Sequence, residues 1–110
     1  MLRSALHRAG LRFRLHRRGL PGTPDMVLPR HRIAVFADGD FWHGRLGIPK
    51  SNQAYWRAKF RANRARDRRA DRQLAASGWR VARVWESDIS ADPAACAARI
   101  LSLAGRTTES

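Results

Sequence analysis

With 110 residues, 44% of them hydrophobic, the chain has material for one compact domain with a modest core, and not for two. Its 22 Lys+Arg against 9 Asp+Glu give a formal net charge of +13, which selects a polyanionic partner, because clustered arginines gain affinity by displacing the counterions condensed on nucleic acid. The single cysteine, Cys96, excludes an intrachain disulfide and a cysteine-based zinc cage, and the absence of an apolar run of roughly 18 residues excludes a transmembrane helix. The Arg-rich N-terminus also lacks the apolar core of a secretory signal, so a cytoplasmic protein is expected.

Leu2, Ala5, Leu6 and Ala9 recur at helical spacing and Gly10 supplies a stop, so residues 1–9 read as the final turns of a helix. Leu11, Phe13 and Leu15 then alternate with Arg12, Arg14 and His16, the period of a half-buried strand with a cationic outer face. The run from Arg17 to Pro24 is punctuated as a loop. Because Pro24 cannot donate to a ladder, the next strand should start at Asp25 and continue through Met26, Val27 and Leu28. After a turn at Pro29-Arg30-His31, the segment from Arg32 to Ala37 is apolar and rich in β-formers, as in a strand covered on both faces, and should pair with its predecessor as a hairpin.

Glycines and Pro49 make residues 39–50 an irregular loop, and Ser51 or Asn52 is placed to cap a long helix over residues 53–76. On that helix Trp56, Phe60, Asn63, Asp67, Ala70 and Leu74 form one stripe, while Arg57, Arg61, Arg64, Arg68 and Arg72 form another. One side packs; the other is a basic ridge. Gly78 ends the helix, residues 79–85 read as a further strand, and Asp92-Pro93 opens a short Ala-rich helix ending near Leu103. Residues 105–110 read as a polar tail. The order predicts an α/β fold: one small domain over residues 1–104, with a mixed central β-sheet flanked by helices.

The carboxylates are placed unevenly. Between Met1 and Arg66 the only ones are Asp25, Asp38 and Asp40, each at the end of a candidate strand. Carboxylates at the ends of neighbouring strands can converge on one divalent ion, which in phosphodiester cleavage activates water and neutralises charge on the phosphate. Taken singly, each is more readily a turn aspartate than a catalytic one. Together with His43, which is placed to move a proton, they favour a nuclease site. Phe41 and Trp42, adjacent large aromatics at a strand end, suit a wedge between base steps, although Trp42 could equally cap the core. The ridge arginines suit phosphate contact, and Asn63 and Asp67, if buried, must hold a loop or an arginine in place.

These residues carry a resemblance to the very short patch repair endonucleases, DNA mismatch nickases of the PD-(D/E)xK nuclease superfamily. It covers residues 2–89, through Gly10 to Arg14, Leu20 to Asp25, Phe36 to His43, Asn63 to Arg69, Gly78 to Val81 and Val84 to Glu86. The resemblance implies a restriction-endonuclease-like fold and Mg²⁺-dependent nicking of double-stranded DNA at T:G mispairs. It also implies a cytoplasmic, nucleoid-associated monomer, working with other mismatch-repair proteins and not with a membrane. Asp25 matches the metal-binding aspartate, the Ala37 carbonyl a main-chain ligand, His43 the histidine at the scissile phosphate, and Phe41 and Trp42 the intercalating aromatics.

The chain departs from that pattern in three places. Asp38 replaces a second catalytic histidine and is expected as a metal ligand. Asp40, Arg45, Gly47 and Ser87 stand near the ligand positions of a structural zinc, so no structural zinc is expected and another device must brace the loop. The family's helical glutamate would fall upstream of Met1, so truncation of the N-terminal helix is expected. A PD-(D/E)xK nuclease without mismatch preference, or a catalytically impaired DNA-binding remnant, is the alternative.

Overall fold

The computed structural model describes residues 2–15, 19–42 and 44–108, with side chains to Gly105. The elements are α1 (Leu2–Arg8), β1 (Arg14–Leu15), β2 (Met26–Leu28), β3 (Ile33–Asp38), α2 (Gln53–Ala76), β4 (Arg80–Trp85), α3 (Glu86–Ala91) and α4 (Pro93–Thr108).

One sheet runs in the order β1-β2-β3-β4. The first two pairs are antiparallel, with Arg14 opposite Val27 and, across the short β2–β3 turn, Val27 opposite Ala34. The strand β4 lies parallel to β3, because α2 carries the chain back to the starting edge, as a parallel connection requires. Alternation along β3 divides its side chains between two cores. Ile33 and Val35 pack with Leu2 and Leu6 of α1 and Cys96 and Ile100 of α4. Ala34 and Phe36 pack on the other face with Leu74 and Trp79. The result is three layers, with α1 and α4 on one side of the sheet and α2 on the other.

The ends of α2 are secured differently. Asn52 occupies the N-cap with a left-handed φ of 56° and no side-chain capping bond, so its backbone conformation and not its amide starts the helix. At the other end Arg32 donates from Nη2 to the Ser77 carbonyl at 2.8 Å and from Nε to the Gly78 carbonyl at 3.2 Å, satisfying terminal acceptors with a cation.

Three local differences from the sequence reading have physical causes. Asp25 precedes β2, its N–H donating to the Val35 carbonyl at 3.0 Å while its side chain bonds elsewhere. A short helix, α3, follows β4 without a linker, too brief to leave a periodic signal. Further on, α4 continues past Leu103 to Thr108, since Gly105 in mid-helix lowers helix propensity without breaking hydrogen bonds.

Gly22, with φ of 75°, fits where a Cβ would lie 2.9 Å from Ala70 Cβ and 3.2 Å from the Phe36 ring. Gly22→Ala therefore combines a disfavoured backbone with overpacking against α2, and we expect a loss of about 1–3 kcal/mol in urea unfolding. An unchanged midpoint would show that the loop moves away from α2 freely.

Candidate active site

The antiparallel end of the sheet brings Asp25 to Ala37. Asp25 Oδ2 accepts the Ala37 N–H at 2.7 Å, which fixes the carboxylate against the strand edge. In an extended strand a residue's N–H and C=O point to the same edge, so the Ala37 carbonyl faces the side occupied by Asp25. Asp25 is itself exposed. One exposed carboxylate beside one main-chain carbonyl is a donor set that fits Mg²⁺, which is held by few protein oxygens and keeps several waters. Among the described residues no three Asp, Glu, His or Cys side chains gather as a metal cluster.

Asp38, expected beside Asp25 on the ion, has a different partner. Its Oδ1 pairs with Arg83 Nη1 at 2.9 Å, a guanidinium that competes with any cation for that oxygen. Arg83 also grips Asp71 of α2 through Nη2 at 2.7 Å and through Nε, and stacks 4.1 Å over the Phe36 ring. Burial opposes the Arg83 charge, but the Asp71 hydrogen bonds and the charges of Asp38, Asp71 and Asp67 outweigh it and raise its pKa. Asp38 thus ties the end of β3 to β4 and α2. Arg83 and Asp71 were missed in the sequence; the available signal was Asp67 and Asp71, one turn apart beside the apolar stripe of α2.

Beyond β3 the loop is held by a polar clasp. Asp40 accepts the Ser87 N–H at 3.0 Å and the Ser87 hydroxyl. Arg45 reaches Ser87 Oγ at 3.1 Å and Asp88 at 3.2 Å, and lies 5.0 Å over the Trp85 ring. Asp40, Arg45 and Ser87, expected from the sequence to stand near the zinc-ligand positions of the resembled family, are therefore bonded to one another. They brace the loop against α3.

The clasp presents an aromatic cluster. Phe41 meets Trp56 edge-on at 5.1 Å and Phe60 at 5.9 Å, and Trp42 meets Phe41 at 5.2 Å. Asn63, buried on α2, donates to the Trp42 carbonyl at 3.0 Å and accepts from Arg66, the partners that its burial demanded. Trp42 remains 55% exposed on this fixed backbone, so it does not cap the core. Trp56 and Phe60, read from sequence only as packing residues, are the base on which Phe41 rests.

Arg57, Arg61, Arg64 and Arg68 are exposed along α2, and among the described residues none has a carboxylate partner. A Cβ on Gly44 would lie 3.7 Å from Arg64 Nη1, so the ridge borders the same loop. His43 lies outside the described residues. The structure thus brings together Asp25 and Ala37, and separately Phe41, Trp42 and the start of the ridge, while Asp38 belongs to the Arg83 network.

A mixed sheet with an acidic strand end, layered between helices, places the chain in the restriction-endonuclease-like α/β class. Residues 1–47 match the family model of DNA mismatch endonuclease Vsr. Type II nicking enzyme V.XorIIP of Xanthomonas oryzae is 56% identical over 93 residues, covering 81% of this chain and 68% of that protein. Type II nicking enzyme V.HpaIIP of Haemophilus parainfluenzae is 38% identical over 98 residues, covering 84% and 70%. DNA mismatch endonuclease Vsr of Escherichia coli is 39% identical over 89 residues, covering 77% and 57%. The chain belongs to the Vsr family of DNA mismatch endonucleases.

The Ser87 hydroxyl lowers the pKa of Asp40 from its ordinary 3.8 against an opposing desolvation, with help from the Ser87 N–H and Arg45. A folded value below the unfolded one means that ionised Asp40 stabilises the clasp fully above about pH 3.8, and that this contribution is lost as pH falls through the lower folded value. Acidification should therefore speed amide exchange at Arg45 and Ser87 before the amides of α2, and Asp40→Asn should do so at neutral pH. Unchanged exchange in Asp40→Asn would show that other contacts hold the loop.

Proposed function

We propose that this chain is a DNA endonuclease that nicks one strand of a duplex beside a T:G mispair, using Mg²⁺ held by Asp25 and the Ala37 carbonyl. The observation that carries this reading is the Asp25 to Ala37 hydrogen bond at the end of β3, the strand that leads into the loop bearing exposed Trp42. Family membership, with relatives named as nicking enzymes and a mismatch endonuclease, supports it.

Each group has a physical task. Bound at Asp25, the ion would activate water and offset charge on the scissile phosphate. The Ala37 N–H holds one carboxylate oxygen, so Asp25 is oriented before any ligand arrives. Asp38, engaged by Arg83, is assigned to fixing the strand end that carries Ala37. His43 is assigned proton transfer at the phosphate, on the sequence alone. Phe41 is fixed by Trp56 and Phe60, so Trp42 can enter a base step without the loop having to order first. A mispaired step is the least expensive to open, which is how a wedge favours T:G without reading many base edges. The ridge at Arg57, Arg61, Arg64 and Arg68 would hold backbone phosphates and set the register.

Nicking of T:G and matched duplexes in Mg²⁺ tests the proposal. Asp25→Ala should lower the rate more than about a hundredfold. Trp42→Ala should leave nicking of matched DNA unchanged and narrow the T:G preference by about tenfold, in line with a stacked ring worth roughly 1–3 kcal/mol. No cleavage with any divalent metal would sink the enzyme reading; equal rates on both duplexes would leave a nuclease without mismatch preference.

A further inference from the structure

We propose that the face built by α1, β1 and the β2–β3 turn is a second duplex-binding surface, so that one molecule holds two segments of DNA at once. The inference rests on the reading of the polyanion as DNA and adds a contact through residues that the candidate active site does not use.

Two adjoining grooves mark this face, of about 590 and 420 Å³, sharing His7 and Phe13. Arg3 and Arg8 of α1 line the first; Arg12, Arg14 and Arg30 line the second. All five arginines are exposed, and among the described residues none has a carboxylate partner. The sequence explains why: no Asp or Glu precedes Asp25. Gathering this many guanidinium groups without counter-charge is self-repulsive, and a polyanion removes the repulsion.

The chemistry favours phosphates over bases. Phe13 meets His7 edge to face at 5.8 Å and packs against the core, so it offers no open platform on which a single strand could stack. What remains is a set of planar forks suited to phosphate oxygens, the exposed feature of a duplex.

Placement makes the segment a second one. Arg14 lies opposite Val27 and Leu15 opposite Met26, so the chain preceding β1 lies toward the β2–β3 turn and away from Asp25. The helix α1 covers the sheet face opposite α2. The α2 ridge and this arginine face thus lie on opposite faces of the sheet, so a duplex held on one leaves the other to a second segment.

The test is capture of a free labelled duplex by an immobilised one, in the presence of the full chain, with T:G nicking of a short duplex measured in parallel. The wild type should bridge. Arg12→Gln/Arg14→Gln/Arg30→Gln should lose bridging while retaining nicking, and the log affinity against log salt slope for the second duplex should fall by about 2.7, at roughly 0.9 per phosphate contact. Arg3→Gln/Arg8→Gln on α1 should weaken bridging too, which guards against misfolding of β1 as the cause. A wild type that nicks without bridging, a triple variant that bridges normally, or a triple variant that loses nicking along with bridging overturns the proposal. So does preferential binding of single strands, anionic vesicles or polyglutamate at this face. A wild type that bridges but does not nick supports the surface and counts against the endonuclease reading, so the two fail separately.

Discussion

Six residues of β3 lie in parallel register against β4, from Ile33 opposite Arg80 to Asp38 opposite Trp85, and the candidate site is set by where that pairing stops. Parallel neighbours need a crossover, which is α2, and the crossover must cover the face bearing Ala34 and Phe36. Both strands therefore end side by side. The loop after β3 and the helix after β4 start as neighbours, and this is why Asp40 can reach Ser87 across 47 residues of sequence. The clasp, the wedge it carries and the seat at Ala37 all follow from one register. A slip of one residue would turn Asp38 out of the α2 face and put Ala37 in its place.

Arg83 shows how a strongly basic chain can hold a half-buried charge. Alternation on β4 sends Arg83 to the α2 face with Val81 and sends Ala82 and Val84 to the other. A lone guanidinium there would lose hydration without compensation. Asp38 and Asp71 supply the compensation from a strand and a helix, and the Phe36 ring supplies a flat surface beneath. Such a pair adds less to stability than its short distances suggest, since desolvation offsets the attraction. What it does is join α2 to the sheet at one point, where Asp71 meets Arg83.

Much of this was readable from the chain because it rests on local rules. The bounds of α2, the apolar run of β3 and the turn between β2 and β3 follow from periodicity and punctuation, and Asn63 declared its need for a partner by sitting on an apolar stripe. The remainder depends on pairings between residues far apart in sequence. Asp38 reads as a strand-end carboxylate, and nothing near it in sequence announces Arg83, 45 residues later, as its partner. The Arg80 to Trp85 strand carries Arg80 and Arg83, and nothing local shows that Arg83 meets Asp38 and Asp71. Similarly, the clasp needed both the register and α3, and a helix of six residues gives no periodic signal.

The same accounting applied to charge explains the surface. Of 9 Asp+Glu, Asp38, Asp40, Asp71 and Asp88 are bound to cations or hydroxyls that close the fold, Asp92 caps the start of α4 through the Ala95 N–H, and Asp25 faces the seat. Few acids remain to screen the exposed arginines. The free chain therefore carries a repulsion between its cations that its own fold does not remove. A polyanion that engages the folded form removes it, and by linkage any ligand that prefers the folded state raises that state's stability with its concentration. Binding and folding are in this way parts of one balance: the acids are committed inside to position the strand end and loop, which leaves the outside to be neutralised by the partner.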